Sequence, residues 1–196
     1  MVEKLQELLK EKKFAEVHDL LEGVNSADIP SLFEELDDEQ IVVVYRLLSK
    51  DVAAEAFVEL DSDMQEKLIN ALTDTELKAV LDDIFMDDTV DLIEEMPANV
   101  VKRILKAQKP SERKLINELL KYPEDSAGSI MTTEFVDLKE NMQVEDAISR
   151  IRKIGEDVES VDTCYVLTLK RELIGTITLK DIVMATPGSF VKDIMV

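Results

Sequence analysis

The stretch from Asp61 to Leu81, DSDMQEKLINALTDTELKAVL, holds two copies of one short pattern: a polar start, eight or nine helical residues, and a polar break. Met64, Leu68 and Leu72 share a helical face in the first copy, and Leu77, Leu81 and Phe85 do so in the second. Helices this short are marginal in water, so the copies are expected to bury their apolar faces on one another. Reading outward, starts at Asp37, Lys50, Ser62, Asp74, Asp87, Ala98 and Ser111 are spaced by 13, 12, 12, 13, 11 and 13 residues. Val101/Leu105 and Leu115/Leu119 continue the helical period. The starts supply Asp or Ser, whose oxygens can accept from unpaired N–H groups, and Pro97 and Pro110 also fall at starts. The pattern predicts an all-α superhelical solenoid of short helices over the first two thirds of the chain.

The end of the chain has a different period. Phe135 to Leu138 reads as a strand, Gln143 to about Val158 as a helix, and Thr163–Leu169 and Leu173–Thr178 as strands joined by a turn at Lys170-Arg171-Glu172. A last short helix starts near Leu179. The order is β-α-β-β-α, an α+β unit, and the change of period falls between Tyr122 and Ser129.

The 196 residues carry 43 Asp+Glu against 23 Lys+Arg, a net charge of -20, with 45% hydrophobic residues. That apolar share is enough for a core. An acidic surface repels phosphate backbones, so no nucleic-acid partner is expected. Cys164 is the one cysteine and can form no internal disulfide, and the longest apolar stretch, Ile41 to Leu48, is broken by Arg46. A cytoplasmic, soluble chain is expected, without a membrane span of its own. The charge is uneven: residues 31–100 carry 20 Asp+Glu and four Lys+Arg, and a basic band from Lys102 to Lys114 follows. That band is read as a helix face balancing the acidic body of its own chain.

Two stretches carry a resemblance. Tyr122-Pro-Glu-Asp-Ser-Ala-Gly-Ser-Ile-Met131-Thr132 closely resembles the link between the N domain and the first CBS unit of MgtE-type magnesium channels, with Gly128-Ser129 where that family usually has Gly-Gly. Leu173-Ile-Gly-Thr-Ile-Thr-Leu-Lys-Asp181 resembles the second-strand-to-helix segment of CBS units, and Val191-Lys-Asp-Ile-Met-Val196 echoes Ser129-Ile-Met-Thr132. The resemblance implies an N-type helical domain over 1–125, a first CBS domain over 126–190, and the start of a second over 191–196. It further implies that the intact protein is a homodimer through its CBS units. Its own pore would lie in the bacterial inner membrane, with this region on the cytoplasmic side. There the N domain and CBS pair would sense Mg²⁺ and close the pore when it is plentiful.

The resemblance also proposes ligands. Matching positions fall at Asp87 and Asp91, which are four apart and share one helix face, less securely at Glu55, and at the backbone carbonyl of Ser129. A carbonyl survives the Gly-to-Ser change, although a positive φ would be harder for Ser. Asp61, Asp74 and Asp87 stand at helix starts, where Asp is favoured without any metal. Asp82-Asp83 and Glu94-Glu95 read as solvated faces. Thr178 and Asp181 match the positions that meet ribose and phosphate in CBS pairs binding ATP or another adenosine nucleotide; the same residues also suit a strand end and a first helical turn. His18 has no partner of metal-ligand spacing, and no P-loop, Ser-His-Asp set or dinucleotide fingerprint occurs, so an enzyme is not expected. Two other readings remain: a nucleotide-binding CBS regulatory module on some other effector, and a structural scaffold, since the solenoid also resembles the repeat domain of the flagellar motor-switch rotor protein.

Overall fold

A computed structural model describes residues 1–196. The chain divides into two compact units, residues 1–129 and 130–196. The first is all helical: α1 (Val2–Lys10), α2 (Phe14–Leu21), a 3₁₀ turn (Ser26–Asp28), α3 (Ile29–Phe33), α4 (Asp38–Leu47), α5 (Lys50–Val58), α6 (Ser62–Ala71), α7 (Asp74–Leu81), α8 (Met86–Glu95), α9 (Ala98–Ala107) and α10 (Pro110–Leu119). From α4 onward each helix begins within a residue or so of a repeat start read from the sequence.

No helix of this unit exceeds ten residues. Each leaves four N–H and four C=O groups without a partner inside it, so the ends matter as much as the middles. Asp37 accepts from the Gln40 amide and Gln40 returns the bond, and Thr73 and Glu76 form the same reciprocal cap. Asp61 accepts from the Met64 amide at 2.8 Å. Thr73, not Asp74, is therefore the cap of α7. Asp74 instead faces Arg103 and Lys106, which hold its carboxyl below the usual range, Arg103 first.

Carbonyl ends are satisfied from neighbouring repeats. Gln65 Nε2 donates to Phe57 O at 3.0 Å, Arg46 Nη2 to Ala71 O at 3.2 Å, and Arg103 to both Ile69 O and Leu72 O, while Tyr45 Oη donates at 3.0 Å to Ala53 O inside α5. Helices alternate in their stacking: α4 meets α6, α5 meets α7, α7 meets α9 and α8 meets α10. One continuous core results, with Phe33, Phe57, Leu68, Ile69, Leu77, Ile104 and Ile116 fully buried. On α9 the expected pair Val101/Leu105 is only half-buried, and Val100/Ile104 faces the core. The apolar stripe there is wide enough for either register, and the neighbouring helices select its other edge.

The second unit contains β1 (Phe135–Lys139), α11 (Val144–Ile154), β2 (Ser160–Leu167), β3 (Leu173–Thr178), α12 (Leu179–Met184) and α13 (Val191–Ile194). The sheet order is β1-β2-β3, with β1 parallel to β2 and β2 antiparallel to β3. Val136, Leu138, Cys164, Val166 and Ile177 form its core with Val144, Ala147 and Ile182. α11 stops at Ile154, four residues short of the reading from periodicity, because Gly155 takes the C-cap. Arg171 adopts the left-handed conformation, φ 65°, that the β2–β3 turn demands. The last six residues pack within this unit. Val191 is fully buried, and Val196 and Thr176 exchange backbone hydrogen bonds of 2.8 and 2.9 Å. Gly175 permits this: a Cβ there would fall 2.8 Å from the Val196 carbonyl oxygen.

Two substitutions test these contacts. Arg103→Leu strands two carbonyl ends and is expected to cost about 2 kcal/mol in urea denaturation, against about 0.5 or less for Lys102→Leu on the same helix. Gly175→Ala is expected to push the tail off β3, read as loss of hydrogen-exchange protection at the Thr176 amide.

Candidate metal and nucleotide sites

α8 carries Asp87, Asp88, Asp91, Glu94 and Glu95 on less than three turns. Its N-cap is Phe85, without a side-chain cap bond, so Asp87 is not spent on capping as its position at a helix start suggested. Asp87 Oδ1 is buried and has no hydrogen-bond partner. A buried carboxylate oxygen left unpaired is costly unless something meets it. Four residues on, Asp91 is exposed at the surface, yet partial desolvation first, and then the charges of Asp87 and Glu95, push its carboxyl above its ordinary value.

Asp91 also borders a cavity of about 400 Å³ between α5, α6 and α8, with Asp61, Asp88 and Glu95 around it. Glu95 accepts from the Ser62 hydroxyl. Sequence reasoning did not assemble this group, although Asp87, Asp91 and Glu95 at spacings of four already mark one helical face. Glu55, on α5, is exposed and does not border the cavity. No three His, Cys, Asp or Glu side chains converge closely enough to hold an ion. What α8 offers is one orphaned and one destabilised carboxylate. This donor set suits a hard, strongly hydrated cation such as Mg²⁺, which keeps several waters and takes one or two carboxylates.

Other acidic residues sort differently. Asp82 is exposed, as expected, and pairs with Lys78 and Lys109, whereas Asp83 is half-buried, with Oδ1 on Lys50 at 2.6 Å and Oδ2 buried without a hydrogen-bond partner. Glu76 is held at a pKa of about 2, chiefly by Arg46 and then by Thr73. The basic band is largely consumed within the unit, by Asp74, Asp82, Glu112 and Glu118.

Ser129 lies at the end of the first unit, and its φ is not positive, so the expected difficulty of serine there does not arise. Its N–H donates to Ser126 O at 3.1 Å and its Oγ donates to the same oxygen at 2.9 Å. In the second unit, Thr178 Oγ1 accepts from the Asp181 amide at 3.1 Å and donates to Asp181 Oδ2 at 2.6 Å, capping α12. The two matched residues touch, and both are exposed. Cys164 is buried, which pushes its thiol up to about 11 and leaves it unreactive at neutral pH. His18 is exposed beside Asp19. No helix is long and apolar enough to cross a membrane.

A family model described as the MgtE intracellular N domain matches residues 24–125, and a CBS domain model matches residues 127–188. The magnesium transporter MgtE of Thermus thermophilus is 32% identical over 195 residues, which is 97% of this chain and 43% of that protein. MgtE of Bacillus subtilis is 26% identical over 188 residues, 96% of this chain and 42% of its own length. This chain thus spans less than half the length of the curated relatives it matches. A crystal structure of the cytosolic domain of the Mg²⁺ channel MgtE in complex with ATP superposes with a TM-score of 0.91 at 31% identity, covering all of this chain and 80% of that one.

The raised Asp91 titration gives a signed expectation. Its charged form is disfavoured in the native state relative to the unfolded chain, so the penalty is full above the raised pKa and fades as pH falls through it. In metal-free buffer Asp91→Asn is expected to melt at a higher temperature than wild type at pH 7, with the gap closing as pH is lowered through that range.

Proposed function

The chain belongs to the MgtE family of magnesium transporters, and from that premise we propose that it is the Mg²⁺-sensing cytosolic region of such a transporter, binding Mg²⁺ so as to favour its closed state. The observation that carries this reading is the face of α8, where Asp87 Oδ1 is buried without a partner and Asp91 is pushed above its ordinary pKa. A cation there relieves both costs. Asp87 and Asp91 would supply carboxylates, Ser129 a backbone carbonyl, and Glu55 a further, exposed carboxylate. The remaining carboxylates come from the second CBS unit that the family carries. Mg²⁺ supplies the positive charge that lets like-charged surfaces approach; without it their repulsion acts within about 8 Å at physiological salt.

The energetics suit a sensor. A millimolar site is worth about 4 kcal/mol of standard binding free energy, but a gate responds only to the difference in affinity between its states. Several weak sites completed only in the closed state give that difference without tight binding in either state. In this reading the intact protein is a homodimer through its CBS units, with its own pore domain in the bacterial inner membrane and the present region on the cytoplasmic side. The chain is regulatory rather than catalytic.

A second ligand has its own support. Thr178 and Asp181 present a hydroxyl and a carboxylate side by side at the start of α12, and the structural relative at 31% identity was solved with ATP. An adenosine nucleotide bound there would be a second regulatory ligand of the same module. Nothing comparable supports the scaffold reading.

Thermal-shift titrations at constant ionic strength separate the two ligands. Mg²⁺ at about ten times its Kd is expected to stabilise the chain by about 1.4 kcal/mol, a rise of several degrees, with a smaller radius of gyration by X-ray scattering. The Asp87→Ala/Asp91→Ala double variant is expected to lose most of that rise, and Thr178→Ala/Asp181→Ala to lose a rise caused by ATP alone. Indifference to Mg²⁺ both in this chain and in one extended through a complete second CBS unit sinks the sensor reading.

A further inference from the structure

We propose that Tyr122 is a positioning residue for the Ser129 carbonyl, acting through Gly128. The proposal rests on the metal-sensing reading, in which that carbonyl is a ligand. Tyr122 sits just past α10, its N–H donating to Leu119 O at 3.0 Å. Its ring lies against the Cα of Gly128: a Cβ at Gly128 would fall within 2.6 Å of three ring carbons. Gly128 does not have a positive φ. It is therefore the ring, not the backbone conformation, that demands glycine at this position.

The intervening residues close on themselves. Ser126 N–H donates to Pro123 O at 3.2 Å, Asp125 takes φ 58°, and Ser129 bonds twice to Ser126 O. These bonds are all local to the loop. The ring is what ties it back to the end of α10, one residue before Ser129. A ligand atom must be held to within about 0.5 Å to be useful, and a loop closed only by short-range turns does not reach that. Tyr122 nevertheless remains 47% exposed, so deleting its ring removes little buried area. Positioning and bulk stability are separable here.

The test uses the whole chain as wild type, Tyr122→Ala, Tyr122→Phe and Gly128→Ala, with Mg²⁺ affinity measured calorimetrically. Tm is measured in a chelator, and amide exchange at Ser126 and Ser129 without metal. Tyr122→Ala and Gly128→Ala are expected to weaken Mg²⁺ binding about tenfold, as when groups that orient a metal ligand are removed. The Ser129 amide is expected to exchange faster, and Tm in chelator to stay within about 2 °C for Tyr122→Ala. Tyr122→Phe keeps the ring and is expected to bind like wild type. Wild-type affinity in Tyr122→Ala, or a loss matched by an equal loss of stability in chelator, overturns the proposal while leaving the sensor reading standing. A wild type that binds no Mg²⁺, alone and extended through a complete second CBS unit, overturns both.

Discussion

The first unit depends on meeting backbone groups that short helices cannot satisfy for themselves. A ten-residue helix has more orphan donors and acceptors at its ends than it has internal bonds. Here carbonyl ends are met by side chains from other repeats: Gln65 on Phe57 O, Arg46 on Ala71 O, and Arg103 on two carbonyls while it also pairs with Asp74. Several reach about 30 residues along the chain, which is two or three helices away. Stacking is thus fixed by polar closure as well as by the apolar core, and no helix of the series is a module in isolation.

The same constraint sorts the acidic residues. Asp37, Asp61 and Glu76 are drawn into caps, and Asp74, Asp82 and Asp83 into ion pairs that join repeats. Surface pairs contribute little individually, but they remove these carboxylates from other work. What remains on α8 is different in kind. Asp87 has an oxygen with no partner, and the exposed Asp91 is burdened by partial desolvation and its acidic neighbours, with no cation of the chain answering either. With no cation of the chain beside them, Asp87 and Asp91 carry a local cost that a bound cation would offset.

In the second unit, structure and candidate function coincide at single residues. Thr178 and Asp181 cap α12, and the hydroxyl and carboxylate so placed are the groups that the proposed nucleotide would meet. Gly175 serves packing alone, giving up its side chain so that the tail through Val196 can lie on β3.

The sequence by itself determined the class of both units, the starts of the repeat helices and the strand order along the chain. These follow from period, caps and turn residues, which act over a few neighbours. It also marked Asp87 and Asp91 as one face, because i and i+4 share a side of any helix. Only the tertiary structure decided which edge of the α9 stripe is buried, that Asp83 meets Lys50 while Asp87 meets no cation although each keeps one buried oxygen without a partner, that Asp61 and Glu95 line the same cavity as Asp91, and that Gly128 answers to the ring of Tyr122. Each of these depends on a residue from another helix or from beyond a turn, and local periodicity carries no information about which distant side chain arrives to fill a hydrogen bond or a space.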